Sequence, residues 1–163
     1  NTNETIWGKQ GNDVIFGNGG NDRIIGGTGA DRMTGGAGRD VFVFENKSDS
    51  APGATGIINN GRYDPVSGAG KRDVITDFMH GVDKIDLSAI DANLRGAGDQ
   101  AFKFIGTSNF NSAPGGLSYK TYNFAGTAYD KTIIYGDING DRMADFQIEL
   151  SGIKKLSVGD FIL

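Results

Sequence analysis

The chain has 163 residues, 37% of them hydrophobic and 10% aromatic, which is enough for one domain with a core or for two small fused modules. Its formal net charge of −4 argues against nucleic acid as a main partner, and the absence of cysteine excludes a disulfide framework and a thiolate metal site. No run of about 18 apolar residues is present, so the sequence predicts no membrane span.

Acidic residues recur every nine positions through the first third of the chain. Between them a glycine-rich hexapeptide returns in phase, and eleven of the 27 glycines fall between Gly8 and Gly38. A strict period delivers one carboxylate to the same place in every turn of a coil, and stacked carboxylates repel one another unless a cation lies between them. The repeat therefore predicts a metal site. Its acidic positions are Glu4, Asp13, Asp22, Asp31, Asp40 and Asp49.

Each nonapeptide divides into a six-residue turn and a three-residue strand. Glycine in the turn permits positive φ and lets successive backbones approach closely, and the middle residue of each strand points inward. The pattern resembles calcium-binding β-helix repeats, and the resemblance implies a roll in which two nonapeptides complete one turn. This pairs Asp13 with Asp31 and Asp22 with Asp40. The predicted inward residues are Ile15, Ile24, Met33 and Phe42.

We expect the ions to be calcium. Three-residue strands bury little area, so burial alone does not hold the coil closed, whereas calcium accepts 6 to 8 oxygen ligands. The absence of cysteine and the single histidine disfavour zinc. Further ions are predicted between Asp31 and Asp49 and, more weakly, between Glu4 and Asp22. Extracellular sites have dissociation constants of roughly 10⁻⁴ to 10⁻³ M, so the chain is expected to fold only outside the cell.

The second half of the chain changes pattern. Residues 50–70 are rich in turn residues and predict a long loop. Residues 71–163 contain short alternating segments, which predict an antiparallel sandwich that continues from the repeat block of residues 1–49. The predicted strands are 73–78, 84–87, 101–105, 117–122, 132–138 and 143–150.

Two local signals lie in this half. Ser88 and Asp91 predict the cap of a short helix over 89–94, and Asn139-Gly140 predicts a hairpin with a type I′ turn. The hairpin also has the acidic spacing of a compact calcium loop. Because Arg142 replaces the usual glycine and no glutamate closes the loop, an ordinary hairpin turn is favoured.

The repeats, with the segment RDVITDFMHGVDKIDLSAIDA and the ending GDINGDRMADFQIELSGIKKLSVGDFIL, resemble the C-terminal RTX region of serralysin-type metalloproteases and of other proteins exported by type I secretion. The resemblance implies an all-β fold, in which a parallel β-roll of RTX (hemolysin-type calcium-binding) repeats continues into an antiparallel β-sandwich. It also implies a secreted protein that binds several Ca²⁺ ions.

In this family, backbone carbonyls of the hexapeptides share each ion with the aspartates. One ion would use Lys9, Gly11 and Asp13 with Gly26, Thr28 and Asp31. A second would use Asn18, Gly20 and Asp22 with Gly35, Ala37 and Asp40. The site also includes the hexapeptide glycines Gly17, Gly19, Gly27, Gly29, Gly36 and Gly38, and Asp73 and Asp83 match positions that close the last sites. Two departures are the long loop 50–70 and Lys9 in place of glycine, which is expected to loosen the first site.

The resemblance also implies partners. The ending Asp160–Leu163 fits an uncleaved export signal that the type I secretion apparatus reads, and it fits equally a final sheet strand. The chain begins without methionine and partway through a repeat, so we expect an attached upstream catalytic or effector domain. No HExxH motif or catalytic triad is present, which predicts a non-catalytic module.

Two alternatives stay open. Outward-facing Arg23 and Arg32, with Arg39 nearby, form a solvated face or a basic strip for an acidic polysaccharide, as in the R-modules of secreted alginate epimerases. The other alternative is the terminal repeat region of an adhesin.

Overall fold

The computed structural model describes residues 2–52, 57–58, 62–63, 72–125 and 128–163. Strands dominate this part of the chain, and its one short helical element is a 3₁₀ turn at Val158–Asp160. The strands are β1 (Thr5–Gln10), β2 (Val14–Phe16), β3 (Arg23–Thr28), β4 (Arg32–Thr34), β5 (Val41–Val43), β6 (Ile57–Ile58), β7 (Arg62–Tyr63), β8 (Val74–Ile75), β9 (Lys84–Asp86), β10 (Lys103–Gly106), β11 (Gly116–Tyr122), β12 (Lys131–Asp137), β13 (Phe146–Ser151) and β14 (Phe161–Ile162).

The first five strands form a two-sided parallel roll. β1, β3 and β5 pair side by side in one sheet, and β2 pairs with β4 in the other. In each pair a residue stands opposite the residue two nonapeptides later, as Val14 does with Arg32. The predicted stacking of neighbours two repeats apart is therefore confirmed.

Two short strands extend the roll beyond the repeats. β8 pairs in parallel with β4, and β9 pairs in parallel with β5. Both segments were expected at the start of the antiparallel half, so that assignment is wrong: they continue the two parallel sheets. Most of the predicted loop 50–70 lies outside the described residues, which include the antiparallel pair β6 and β7 from it.

The antiparallel part consists of β11, β12 and β13, which pair in sequence. β13 also pairs in parallel with β8, so one seven-stranded sheet runs from β10 through β11, β12, β13, β8 and β4 to β2. The five-stranded sheet has the order β1-β3-β5-β9-β14. The predicted fold class, a parallel roll continued by antiparallel strands, is confirmed.

Side chains that bond to nearby backbone overrule two local predictions. Residues 89–94 form turns rather than a helix, because the carboxylate of Asp91 accepts hydrogen bonds from the amides of Asn93 and Gln100. The β12–β13 hairpin exists, but its loop runs from Ile138 to Asp145 and is not a two-residue type I′ turn.

The buried carboxylate of Asp137 organises that loop. It accepts hydrogen bonds from the backbone amides of Asn139, Gly140 and Arg142. These contacts satisfy the carboxylate without an ion, and they favour the hairpin-turn interpretation over the calcium loop.

One hydrophobic core serves the roll and the antiparallel sheet together. The four predicted inward residues are all buried, as expected. They share a single cluster with residues of the antiparallel strands such as Leu117, Ile134 and Ile148. The described part of the chain contains no helix of the length and apolarity that a bilayer span requires.

Candidate metal centre

A ladder of carboxylates stands at the start of the roll strands of the seven-stranded sheet. The backbone amide of Asp13 donates to Oδ1 of Asp31 at 2.8 Å, and the amide of Asp31 donates to Oδ1 of Asp73 at 2.8 Å. The amide of Asp73 in turn donates to Oγ of Ser50 at 2.8 Å. We call each residue of a ladder, with its hexapeptide, a rung. The backbone amide of each rung thus holds the carboxylate of the next rung in a fixed place.

A second ladder precedes the strands of the five-stranded sheet. The amide of Glu4 donates to Oδ1 of Asp22 at 2.8 Å, the amide of Asp22 to Oδ1 of Asp40 at 2.9 Å, and the amide of Asp40 to Oδ1 of Asp83 at 3.1 Å. Asp83 ends this ladder differently, because its Oδ2 accepts a hydrogen bond from the amide of Met79 at 2.8 Å.

In five of the ladder carboxylates, Oδ2 lacks a hydrogen-bond partner among the described residues. A buried carboxylate oxygen without a partner is costly, and its repetition in successive rungs indicates a missing positive partner. The atoms are Oδ2 of Asp13, Asp22, Asp31, Asp40 and Asp73.

The first glycine of each nonapeptide leaves a gap beside such an oxygen. A β-carbon added to Gly26 would lie 2.5 Å from Oδ2 of Asp31. A β-carbon added to Gly8 would lie 2.5 Å from the carbonyl oxygen of Gly26 and 3.0 Å from Oδ2 of Asp13, so these two oxygens border the same gap. The same relation holds for Gly17 and Gly35 with Asp22 and Asp40.

Carbonyl oxygens of one hexapeptide are in close contact with glycines of the hexapeptide two repeats later. The carbonyl oxygens of Lys9 and Gly11 lie so near Gly27 and Gly29 that a β-carbon on either glycine would collide with them. Gly36 and Gly38 contact the carbonyls of Asn18 and Gly20 in the same way.

Two further predicted carbonyls are also brought into these contacts. The carbonyl of Thr28 accepts a hydrogen bond from the amide of Gly11, and that of Ala37 accepts one from the amide of Gly20. Gly19 forms a bridge with Ala37. The predicted ligand residues of each site therefore lie on adjacent rungs; their role as ligands stays a prediction.

Ionisation of several ladder carboxyls is disfavoured. Burial raises the pKa of Asp31, Asp40 and Asp83; hydrogen bonds from backbone amides offset part of this effect, and neighbouring carboxylates add to it. For Asp73, burial together with the charges of Asp31 and Asp49 raises the pKa to about 8. A divalent cation at the ladders would stabilise the ionised carboxylates.

Asp49 differs from its predicted place. Asp73 takes the rung after Asp31, because the chain leaves the nine-residue phase before it returns to the roll. Oδ2 of Asp49 instead accepts hydrogen bonds from the amides of Glu45 and Asn46. Its charge remains close enough to raise the pKa of Asp31 and Asp73.

The donor set fits calcium. The ladder atoms that lack a partner among the described residues are carboxylate oxygens, and backbone carbonyl oxygens border the same gaps. Among the described residues, no three acidic, histidine or cysteine side chains form a cluster able to hold a metal by themselves. An ion here would therefore depend on the carbonyls as well as on the aspartates.

The sequence-based prediction missed some contributors to these loops. Asp77 accepts hydrogen bonds from the amides of Gly35 and Gly36, at 2.9 Å and 2.7 Å. The sequence feature that could have identified Asp77 is its position, four residues after Asp73. Gly8 was also missed, although it occupies the same repeat position as Gly17.

Asparagines form a third ladder outside the aspartates. Oδ1 of Asn12 accepts a hydrogen bond from the backbone amide of Ala30 at 2.9 Å. Oδ1 of Asn21 accepts one from the backbone amide of Arg39 at 2.8 Å. The sequence feature that could have predicted this ladder is the Asn-Asp pair in each of the first two complete repeats.

The three arginines proposed for a basic strip belong to different elements of the roll. Arg23 belongs to the five-stranded sheet and Arg32 to the seven-stranded sheet, while Arg39 lies in the connection between β4 and β5. Arg23 also forms an ion pair with Asp86 at 3.1 Å. The role of these residues in binding a polysaccharide stays a prediction.

The C-terminal residues are part of the fold. β14 pairs in parallel with β9. Burial alone would raise the pKa of Asp160, but hydrogen bonds from the amides of Ser157 and Gly81 and from the ring of His80 outweigh burial and lower that pKa.

Comparison with known proteins defines the class of the repeat block. The family model of the RTX calcium-binding nonapeptide repeat matches residues 1–33 and 16–46, in four copies. These residues are thus RTX calcium-binding repeats, and the predicted resemblance to the RTX class is confirmed.

Two solved structures share the fold over nearly the whole chain. The AlgE6R3 subunit of the Azotobacter vinelandii mannuronan C5-epimerase is 24% identical, with a TM-score of 0.60, and the match covers 98% of this chain and 73% of that one. The AlgE6R2 subunit of the same epimerase is 22% identical, with a TM-score of 0.58, and the match covers 99% of this chain and 92% of that one.

Proposed function

We propose that the chain is a non-catalytic calcium-binding module that folds on extracellular calcium and supports the type I secretion and the stability of an attached enzyme or effector. The observation that carries the proposal is the row of buried carboxylate oxygens that lack a partner among the described residues. Buried, mutually repelling carboxylates oppose folding unless a cation is present.

Three neighbouring pairs of ladder carboxylates have Oδ2 atoms that both lack a partner among the described residues, and each pair marks a proposed ion position. One lies between Asp13 and Asp31, one between Asp22 and Asp40, and one between Asp31 and Asp73. Carbonyl oxygens of the two adjacent hexapeptides complete the first two sets. Asp49 supplies charge to the third position through its proximity to Asp31 and Asp73.

The energetics suit a switch between compartments. A site with a dissociation constant of about 10⁻⁴ M contributes on the order of 1.4 kcal/mol at millimolar calcium and almost nothing at cytosolic calcium. Several such sites together are comparable with the whole stability of a small domain. The chain is therefore exported unfolded and folds where calcium is abundant.

Calcium removal tests the proposal. We expect chelation to abolish the β-sheet circular dichroism signal and added calcium to restore it, whereas equimolar magnesium restores little because its octahedral shell suits these sites poorly. Isothermal titration on the same sample counts the ions. An unchanged spectrum after chelation contradicts calcium-dependent folding.

The proposed role in export is tested by a separate experiment. In cells with a type I apparatus, the chain without Asp160–Leu163 is expected to stay inside, while the full chain appears in the medium. Equal export of both forms contradicts a signal at the C-terminus and leaves the calcium result untouched.

A further inference from the structure

The outer face of the antiparallel sheet carries a pocket of about 580 Å³ that is separate from the carboxylate ladders. Its floor is one cross-strand row, in which Ser118 of β11 stands opposite Tyr135 of β12, and Tyr135 opposite Gln147 of β13. Residues 108–110 and 142–144 form walls. The volume lies within the range of small-molecule sites.

The charged groups of the pocket are cationic. Lys120 and Arg142 line it, and the described lining residues include no carboxylate. The chain as a whole has a net charge of −4, so this local excess of positive charge is against the trend of the molecule. Such a site selects an anionic ligand.

The remaining lining combines flat rings with polar groups. Phe110, Tyr122 and Tyr135 line the pocket, and the hydroxyls of the two tyrosines form a hydrogen bond of 2.7 Å, which fixes both rings. Ser118 and Gln147 are only 4% and 3% exposed and still border the pocket. Ring faces pack against the C–H face of a sugar, and amide and hydroxyl groups bond to its hydroxyls.

Gln147 is held in place from the roll side. Its backbone amide donates to the carbonyl of Ser50 at 3.1 Å, and the hydroxyl of Ser50 donates to its carbonyl. Nη1 of Arg72 donates to its side-chain Oε1 at 3.1 Å. This contact leaves the side-chain Nε2 as the donor to a ligand hydroxyl.

We propose that this pocket binds an acidic sugar, namely a single hexuronate or a hexuronate disaccharide. Lys120 and Arg142 take the carboxylate, the aromatic rings pack on the sugar face, and Ser118 and Gln147 bond to hydroxyls. The site goes beyond the proposed calcium function and does not use the arginines of the roll.

The test is an NMR titration of the full calcium-loaded chain with methyl galacturonide. The matched probe is the methyl ester of the same sugar, which keeps the ring and removes the charge, and acetate tests charge without a ring. Free calcium is held constant, because uronates bind it weakly. We expect amide shifts at Ser118, Lys120 and Gln147, with binding of the ester and of acetate at least tenfold weaker.

Variants test the assignment of charge. The double variant Lys120→Gln with Arg142→Asn is expected to lose at least tenfold in affinity; asparagine is chosen because position 142 has a φ of 73°, which asparagine tolerates. Lys155→Gln, an exposed position that does not line the pocket, is the control and is expected to bind normally.

Several outcomes would overturn the proposal: no shifts at the pocket, shifts confined to Arg23 and Arg32, equal binding of the acid and the ester, or full affinity in the double variant. Circular dichroism in calcium verifies that every variant is folded. A negative titration on folded protein therefore rejects the pocket and not the calcium module, while loss of the calcium-dependent fold rejects the module alone.

Discussion

At the residue scale, the second position of each nonapeptide requires left-handed backbone. The four repeats meet this requirement differently: φ is 77° at Lys9, 71° at Asn18, 89° at Gly27 and 95° at Gly36. Glycine adopts this region freely and asparagine tolerates it, whereas lysine does so at a cost of about 1–2 kcal/mol. Lys9 is therefore the strained member of the series.

Replacing Lys9 with glycine should stabilise the roll. Relief of the left-handed strain is partly offset by the greater freedom of glycine in the unfolded chain, which leaves a gain of about 0.5–1 kcal/mol. The measurement is the calcium concentration at the folding midpoint, which is expected to fall for Lys9→Gly.

Two control variants separate strain from charge. Lys9→Gln removes the positive charge near the first site but keeps the β-carbon, and Asn18→Gly changes a residue that already tolerates the conformation. Both should shift the midpoint less than Lys9→Gly does. If Lys9→Gln gives the full effect, the gain is electrostatic and the strain argument is wrong.

At the element scale, position in the ladder decides how much one carboxylate contributes. Asp31 lies between two rungs, because its Oδ1 accepts the amide of Asp13 and its own amide donates to Asp73. Asp13 is the first rung of its ladder among the described residues. At the proposed ion positions, Asp31 would therefore face two ions and Asp13 one.

Asp31→Ala should therefore weaken calcium-dependent folding more than Asp13→Ala. The reason is the loss of charge at two ion positions together with the lost acceptor for the Asp13 amide. Asp31→Asn keeps that acceptor and isolates the effect of charge. Equal calcium midpoints for the two alanine variants would contradict the sharing of Asp31 between ions.

The nine-residue period predicts the elements of the roll well because phase is a local property of the chain. It places the inward residues and the first four aspartates correctly, and it fails after Asp49. The ladder partner of Asp31 is 42 residues away in sequence, where the period would place it 18 away. No local pattern encodes the length of the segment that the chain spans before it returns at Asp73.

At the scale of the whole molecule, the roll and the antiparallel sheet are one folding unit. β8 pairs with β4 of the roll on one side and with β13 on the other. Ser50 joins the same region by accepting the amide of Asp73 and donating to Gln147. Because the hydrophobic core is also shared, loss of the ions is expected to unfold both parts together.

The ladder carboxyls also link this folding unit to pH. Burial first, with the charges of Asp31 and Asp49, raises the pKa of Asp73 to about 8, far above its ordinary value of 3.8. A carboxyl with a higher pKa in the folded chain binds its proton more tightly when folded, so protonation stabilises the fold. This contribution is fully present below the unfolded pKa and is lost as the pH rises through the folded pKa.

The protein without calcium should therefore be more folded near pH 5 than near pH 8, while calcium-saturated protein should show the opposite trend because protons compete with the ion. The measurement is the β-sheet circular dichroism of resin-treated protein, with sucrose added to keep a folded fraction. Asp73→Asn, which cannot ionise, should reduce the difference between the two pH values. A calcium-free protein that is more folded at pH 8 would show that the ladder carboxylates do not limit folding.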